Sequence, residues 1–266
     1  MNFFYFSYST PPSLLCTSLL DLCSNHPSPL VDLQIKATRP SVVGYQTLDG
    51  NEGYTFVTPT FDGVSTSYSI QDVKIMGENV TGEGAQSLQI LDSEGNVQDE
   101  DYYGWYNAGE AYKNSPAGWF DGNFDAIERP LDLGQAFLLS NDDGEYTIQF
   151  SGKVVFTSIP AYECAEGYTS VGNITPIAKD IQKFALAGEN VTGEGAQSLQ
   201  ILDSEGNVPD EDYYGWYNAG EAYKNSPTGW YDGNFDLAVR DIEPGQSFLI
   251  SNDDGESTIS IPGVDD

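Results

Sequence analysis

Residues 77–125 of this chain occur again, almost letter for letter, at residues 188–236. The first stretch, Gly77 to Asp125, reads GENVTGEGAQSLQILDSEGNVQDEDYYGWYNAGEAYKNSPAGWFDGNFD. The second differs only at Gln98/Pro209, Ala117/Thr228 and Phe120/Tyr231, at an offset of 111 residues. The match continues more loosely from Gly134 to Glu145 against Gly245 to Glu256. With a three-residue gap it also reaches back to Gly53-Tyr54-Thr55 and Gly167-Tyr168-Thr169. A period near 110 residues is that of a duplicated domain, because solenoid repeats are much shorter. The chain must therefore fold as two copies of one small module.

Charge divides along the same lines. Ten Lys and Arg stand against 41 Asp and Glu, a net −31. Residues 1–36 carry −1, residues 37–152 carry −15 and residues 153–266 carry −15. The expected organisation is thus a leader at 1–36, repeat 1 at 37–152 and repeat 2 at 153–266. Such acidity excludes nucleic acid as a partner, since phosphate binding is led by Lys and Arg. It also disfavours an anionic membrane surface. The apolar run Leu14 to Leu22 is short and lies between prolines, so no membrane span is expected. The leader lacks any Lys or Arg before Lys36, unlike an ordinary secretory signal. It reads as an atypical export signal, a misplaced start or an extended arm that docks elsewhere, with the folded part starting near Ala37.

Within each copy the pattern is all-β. Strands are expected in repeat 1 near 42–48, 54–58, 69–75, 86–91, 101–106, 111–113, 117–120, 135–140 and 145–150. Gln86-Ser87-Leu88-Gln89-Ile90-Leu91 alternates as a half-buried strand does. Phe137-Leu138-Leu139, Ser140-Asn141-Asp142-Asp143-Gly144 and Tyr146-Thr147-Ile148 read as a hairpin, and Asp92-Ser93-Glu94-Gly95-Asn96 as a second turn. The best short helix falls at Ile177 to Phe184. Two tandem β-sandwich (or small barrel) domains follow.

The residues exclude most enzyme classes. His26 is the only histidine and lies in the leader, so neither repeat can build a Ser-His-Asp triad, a Cys-His pair or a histidine zinc site. No P-loop or dinucleotide fingerprint occurs. Cys16, Cys23 and Cys164 are too few for a disulfide framework. Cys164 is expected in a loop as a free thiol, with an interchain disulfide as the alternative. A two-acid glycoside hydrolase drawn from Asp99, Glu100, Asp101 or Asp121 is the one catalytic reading, and the abundance of acids makes chance proximity its simpler explanation.

Two constellations suggest binding. Asp92, Glu94, Asn96 and Asp99, repeated as Asp203, Glu205, Asn207 and Asp210, alternate oxygen side chains around a tight turn, as calcium loops do. A solvated acidic turn is the plainer reading of the same residues. The second is aromatic. Tyr103, Trp105 and Tyr106 with Asp121, and Tyr214, Trp216 and Tyr217 with Asp232, combine flat apolar rings with hydroxyl-binding carboxylates, as sugar-binding surfaces do. On a strand Tyr103 and Trp105 face one way and Tyr102 and Tyr106 the other, so one pair belongs to the core. Trp119 and Trp230 are expected in the core.

The strings Val42-Val43-Gly44-Tyr45-Gln46-Thr47 and Gly53-Tyr54-Thr55-Phe56-Val57-Thr58-Pro59, with Gly118-Trp119-Phe120-Asp121, Gly134-Gln135-Ala136-Phe137 and Thr147-Ile148-Gln149-Phe150-Ser151-Gly152, resemble uncharacterised secreted β-repeat proteins of the planctomycete–verrucomicrobia group. The resemblance spans about residues 37–263. It implies export and a non-catalytic surface role, and offers no established site to carry over.

The leading expectation is a non-enzymatic extracellular or cell-surface structural protein that self-assembles, with filaments built from its own copies. The alternative is a bivalent carbohydrate-binding module whose partner is an extracellular glycan, and the third is a small glycan hydrolase. Calcium is the only cofactor considered.

Overall fold

The computed structural model describes residues 5–7, 43–62, 68–154 and 161–263. Apart from residues 5–7 the leader lies outside the described residues, and with it the expectations for Cys16, Cys23, His26 and a start near Ala37. Among the described residues no helix is long and apolar enough to cross a membrane.

Residues 5–7 of the leader form β1 (Tyr5–Ser7), which pairs with β2 (Val43–Gly50), and the first repeat holds β2, β3 (Gly53–Val57), β4 (Phe61–Asp62), β5 (Lys74–Met76), β6 (Gln86–Leu91), β7 (Val97–Tyr106), β8 (Gly118–Phe120), β9 (Phe137–Asn141) and β10 (Tyr146–Val154). The second holds β11 (Tyr162–Cys164), β12 (Gly167–Gly172), β13 (Lys179–Asp180), β14 (Ala185–Ala187), β15 (Gln197–Gln200), β16 (Tyr213–Tyr217), β17 (Gly229–Tyr231), β18 (Asp241–Ile242), β19 (Ser247–Asn252) and β20 (Ser257–Ser260). All pairings are antiparallel. Repeat 1 has a five-stranded sheet in the order β3-β9-β6-β7-β8, and repeat 2 matches it with β12-β19-β15-β16-β17. The facing layers are also alike: β10 pairs with β2 and β5, as β20 pairs with β11 and β14. The pairing of β10 with β4 carries repeat 1 to Val154, just past the expected boundary at 152/153.

Each repeat has its own core between its two layers. In repeat 1 Leu88, Tyr103, Trp105, Trp119, Leu139 and Ile148 pack together; Leu199, Tyr214, Trp216, Trp230, Ile250 and Ile259 do the same in repeat 2. Alternation of side chains along the strands puts every second residue inward, and the tryptophans meet edge to face with centroids 5.1 and 5.0 Å apart.

Four local expectations are corrected. Residues 141–145 do not close a hairpin, because β9 and β10 belong to different sheets. Buried Asn141 turns that corner: its amide donates to the carbonyls of Asn79 and Gly144, and its Oδ1 accepts from Gln86. Such a saturated amide redirects the chain where a simple turn would reverse it. Residues 111–113 lie in a tight loop instead of a strand, and the helix expected over 177–184 is one 3₁₀ turn at Ile181–Lys183. Cys164 sits buried in β11, where desolvation pushes its thiol up to about 11. It is inaccessible to another chain, so the interchain-disulfide reading fails.

The two repeats meet through corresponding surfaces. Tyr54 N–H donates to Ser204 O at 2.8 Å, and the corresponding Tyr168 N–H donates to Ser93 O at 2.8 Å. The bridges Val57↔Gln246 and Gln135↔Val171 are likewise reciprocal. Between them lies a separate apolar cluster of Phe56, Ala136, Leu138 and Leu249, flanked by Tyr54, Leu91, Tyr168 and Leu202. A contact in which i meets j and j′ meets i′ is isologous, with a pseudo-two-fold axis through its centre.

Candidate functional site

On β7 the side chains of Tyr103 and Trp105 point into the core, and those of Tyr102 and Tyr106 point out. Trp105 is 5% exposed and Trp216 6%, with Tyr103 and Tyr214 equally buried. These four residues of the expected sugar platform therefore offer no ring face to a ligand. The inward set fills the sandwich because its bulk is needed there. Tyr103 keeps its hydroxyl hydrogen-bonded to the Glu100 carbonyl at 2.6 Å. Trp119 and Trp230 are fully buried, each with its indole N–H on a backbone carbonyl (Val73 at 3.0 Å, Phe184 at 2.8 Å).

Tyr106 and Tyr217 remain from the expected set, and each joins further rings of the same aromatic stretch. Tyr106 lies 5.6 Å from Phe120 and 5.5 Å from Phe124, with Tyr112 6.1 Å from Phe120. Phe120 is buried beneath, whereas Tyr112 and Phe124 are about half exposed. Repeat 2 reproduces the group with Tyr217, Tyr223, Tyr231 and Phe235. Each repeat thus displays a compact aromatic cluster on the outer side of its long sheet.

Asp121 builds this display. Its Oδ1 accepts the N–H groups of Asn123 and Asp125, both at 2.9 Å, and its carbonyl accepts Phe124 N–H at 3.0 Å. The closed loop holds Phe124 at φ 63°, and Phe235 in its twin at 62°. A bulky residue in the left-handed region is a strained exception that the surroundings must enforce. The Asp125 and Asn123 N–H groups stabilise the charged form and lower the proton affinity of Asp121, as the Asp236 and Asn234 N–H groups do for Asp232. Glu110 anchors the neighbouring loop through the N–H groups of Glu83 at 2.9 Å and Asn107 at 2.7 Å, and is lowered for the same reason. The spacing Asp121-Gly122-Asn123-Phe124-Asp125 was the legible signal, since Asp and Asn favour such self-bonded turns.

Asp121 also borders a groove of about 650 Å³ in repeat 1, lined by Asp99, Glu100, Tyr102, Tyr103 and Asn123 among others. The edge of this groove differs between copies. Gln98 lets β7 run from Val97, whereas Pro209 lacks an N–H for the ladder. The chain answers with a 3₁₀ turn at Asp210–Asp212 before β16 begins at Tyr213.

The acidic turns expected to hold calcium are closed on themselves. Asp92 Oδ1 accepts from Glu94 N–H at 2.9 Å and Asn96 N–H at 2.8 Å, and Oδ2 from the Gln98 amide at 2.5 Å. Asp203 is engaged likewise by Glu205 and Asn207. The Asn96 N–H, then the Gln98 amide, lower the Asp92 carboxyl. Asp99 lies apart on β7 and Asp210 in the 3₁₀ turn. Among the described residues no group of three or more His, Cys, Asp or Glu side chains is placed to hold a metal ion. These turns have a different role: Ser93 and Ser204 at their tips present the carbonyls that join the repeats.

No protein-family model, curated protein or solved structure matches the chain.

Proposed function

We propose that the protein is a non-enzymatic, bivalent glycan-binding module that acts outside the cell. The observation that carries this reading is the paired aromatic cluster, with a half-exposed phenylalanine forced to positive φ in each copy. Exposed rings beside Asp121 and Asn123 combine an apolar face with polar groups for hydroxyls, the usual composition of a small-ligand site. Duplication then adds avidity, because the second contact becomes intramolecular. Of the carboxylates a hydrolase could draw on, Asp121 is held in its charged form by the Asp125 and Asn123 N–H groups, which suits an acceptor better than a general acid. Calcium has no part in this proposal.

The test is retention on a glycan array of the wild type and of Tyr112→Ala with Phe124→Gly. Removing one cluster should weaken binding to a dense glycan surface by about 10²-fold while soluble single-site affinity at the other cluster persists. Adding Tyr223→Ala and Phe235→Gly should abolish both. A wild type retained by no glycan, or a quadruple variant that still binds, overturns the reading.

Self-assembly is the second reading, and the contact between the repeats favours it, in a form different from simple head-to-tail stacking.

A further inference from the structure

The surface that joins the two repeats is nearly the same surface twice. Tyr54 and Tyr168, Leu138 and Leu249, Ser93 and Ser204 occupy corresponding places on the two sides. Glycine is required at the point of closest approach. Gly53 has φ 84°, and a Cβ there would stand 2.3 Å from Ser204 O; Gly167 has φ 88° and would stand 2.2 Å from Ser93 O. The contact is therefore shaped for one partner, a repeat of this kind. Nothing in these residues requires that partner to belong to the same chain.

The two sides of the seam differ at a few positions. Phe56 of repeat 1 corresponds to Ser170 of repeat 2, and Ala136 to Ser247, by the alignment of Gly53 with Gly167 and of Gly134 with Gly245. Phe56 packs with Leu249 across the seam, and Ala136 N–H donates to Ser170 O at 3.3 Å. The side of the seam that carries Phe56 leaves a cavity of about 310 Å³ and the side that carries Ser170 one of about 460 Å³, and the pairing the structure holds is that of repeat 1 with repeat 2.

We propose that this seam is an exchangeable docking surface whose second partner is another copy of this chain, repeat 1 of one molecule seating on repeat 2 of the next. The inference is independent of glycan binding. Each chain carries one face of each kind, so exchange closes reciprocally into a dimer or continues with a free face at either end. Growth of that sort is open-ended although the individual contact is isologous. Within one chain the two faces meet at an effective concentration of about 1 mM, the range of a short connection, so the closed monomer prevails in dilute solution. Repeats carrying −15 each repel, and added salt relieves that repulsion.

The experiment uses the full chain with Cys16→Ser, Cys23→Ser and Cys164→Ala. One preparation also carries Ser93→Cys and a second carries Tyr168→Cys. In a closed monomer neither new thiol has a partner. The two are unfolded together and refolded at concentrations from about 10 µM to about 1 mM, spanning the intrachain value. They are then sized by light scattering and run on a non-reducing gel. Exchange predicts dimers and larger multiples that rise with concentration and salt, and a disulfide linking the two kinds of chain within them. A second pair, Tyr54→Cys and Ser204→Cys, must give the same link through the symmetry-related contact and guards against a folding defect in the first. Monomer at every concentration, or multimers without the mixed disulfide in either pair, overturns the proposal.

Discussion

At the scale of single residues, depth separates two kinds of aromatic ring that look alike in sequence. Trp105 is sealed in the core against Trp119, whereas Phe124 is half exposed and held at φ 63°. Trp105→Ala should therefore cost about 3–5 kcal/mol and threaten folding. Phe124→Gly loses a partly exposed ring but relieves roughly 1–2 kcal/mol of left-handed strain, so its net effect should be small. Chemical denaturation of the two variants checks this; equal losses would mean that Phe124 is a structural residue and not a displayed one. Alternation correctly separated Tyr103 and Trp105 from Tyr102 and Tyr106, because strand parity is written in the sequence. It could not say which parity faces inward, since both sets are large and aromatic. That choice depends on the opposing layer, where Ile75 and Ile148 meet the inward set in the core.

At the scale of elements, turn chemistry was legible and sheet membership was not. The Asp92 turn closes the β6–β7 hairpin as its residues require, and Pro209 shortens the matching strand by removing a donor. The Asn141 corner looked equally like a hairpin, yet a buried network passes the chain to the other sheet. One sequence signal does point to the seam. Phe137-Leu138-Leu139 and Phe248-Leu249-Ile250 are unbroken apolar runs, and a strand covered on both faces reads that way. The outer face carrying Leu138 and Leu249 is where the repeats meet. Gly53→Ala tests that junction locally. A methyl there must displace the Ser204 carbonyl and adopt positive φ, so the contact should open, by about 1–2 kcal/mol from the backbone strain alone. Gly122→Ala, with nothing within 4 Å and no positive φ, should be nearly silent. Hydrogen exchange at the Tyr54 N–H would report the difference, and equal protection in both variants would refute it.

For the whole molecule, acidity acts in two opposing ways. Lowering the pH toward the isoelectric point of about 4.1 removes charge repulsion, which by itself favours the compact state. Against it stand five carboxylates whose folded proton affinities lie below the ordinary 3.8 of Asp and 4.5 of Glu. Their stabilising contribution is present above those ordinary values and fades as pH falls through the lowered folded ones. Melting temperature should hold or rise from neutrality down to about pH 4.5, then fall toward about pH 2. A transition that keeps rising below about pH 3 would show that the turns around Asp121, Glu110 and their twins do not depend on charged carboxylates. The reciprocal seam also governs direction. A two-fold axis reverses any direction perpendicular to it, so a strand with unlike ends that crosses the first aromatic cluster at right angles to that axis must run the opposite way across the second. A single closed molecule would therefore tie together two antiparallel polymer strands more readily than it would clamp one strand at two successive points.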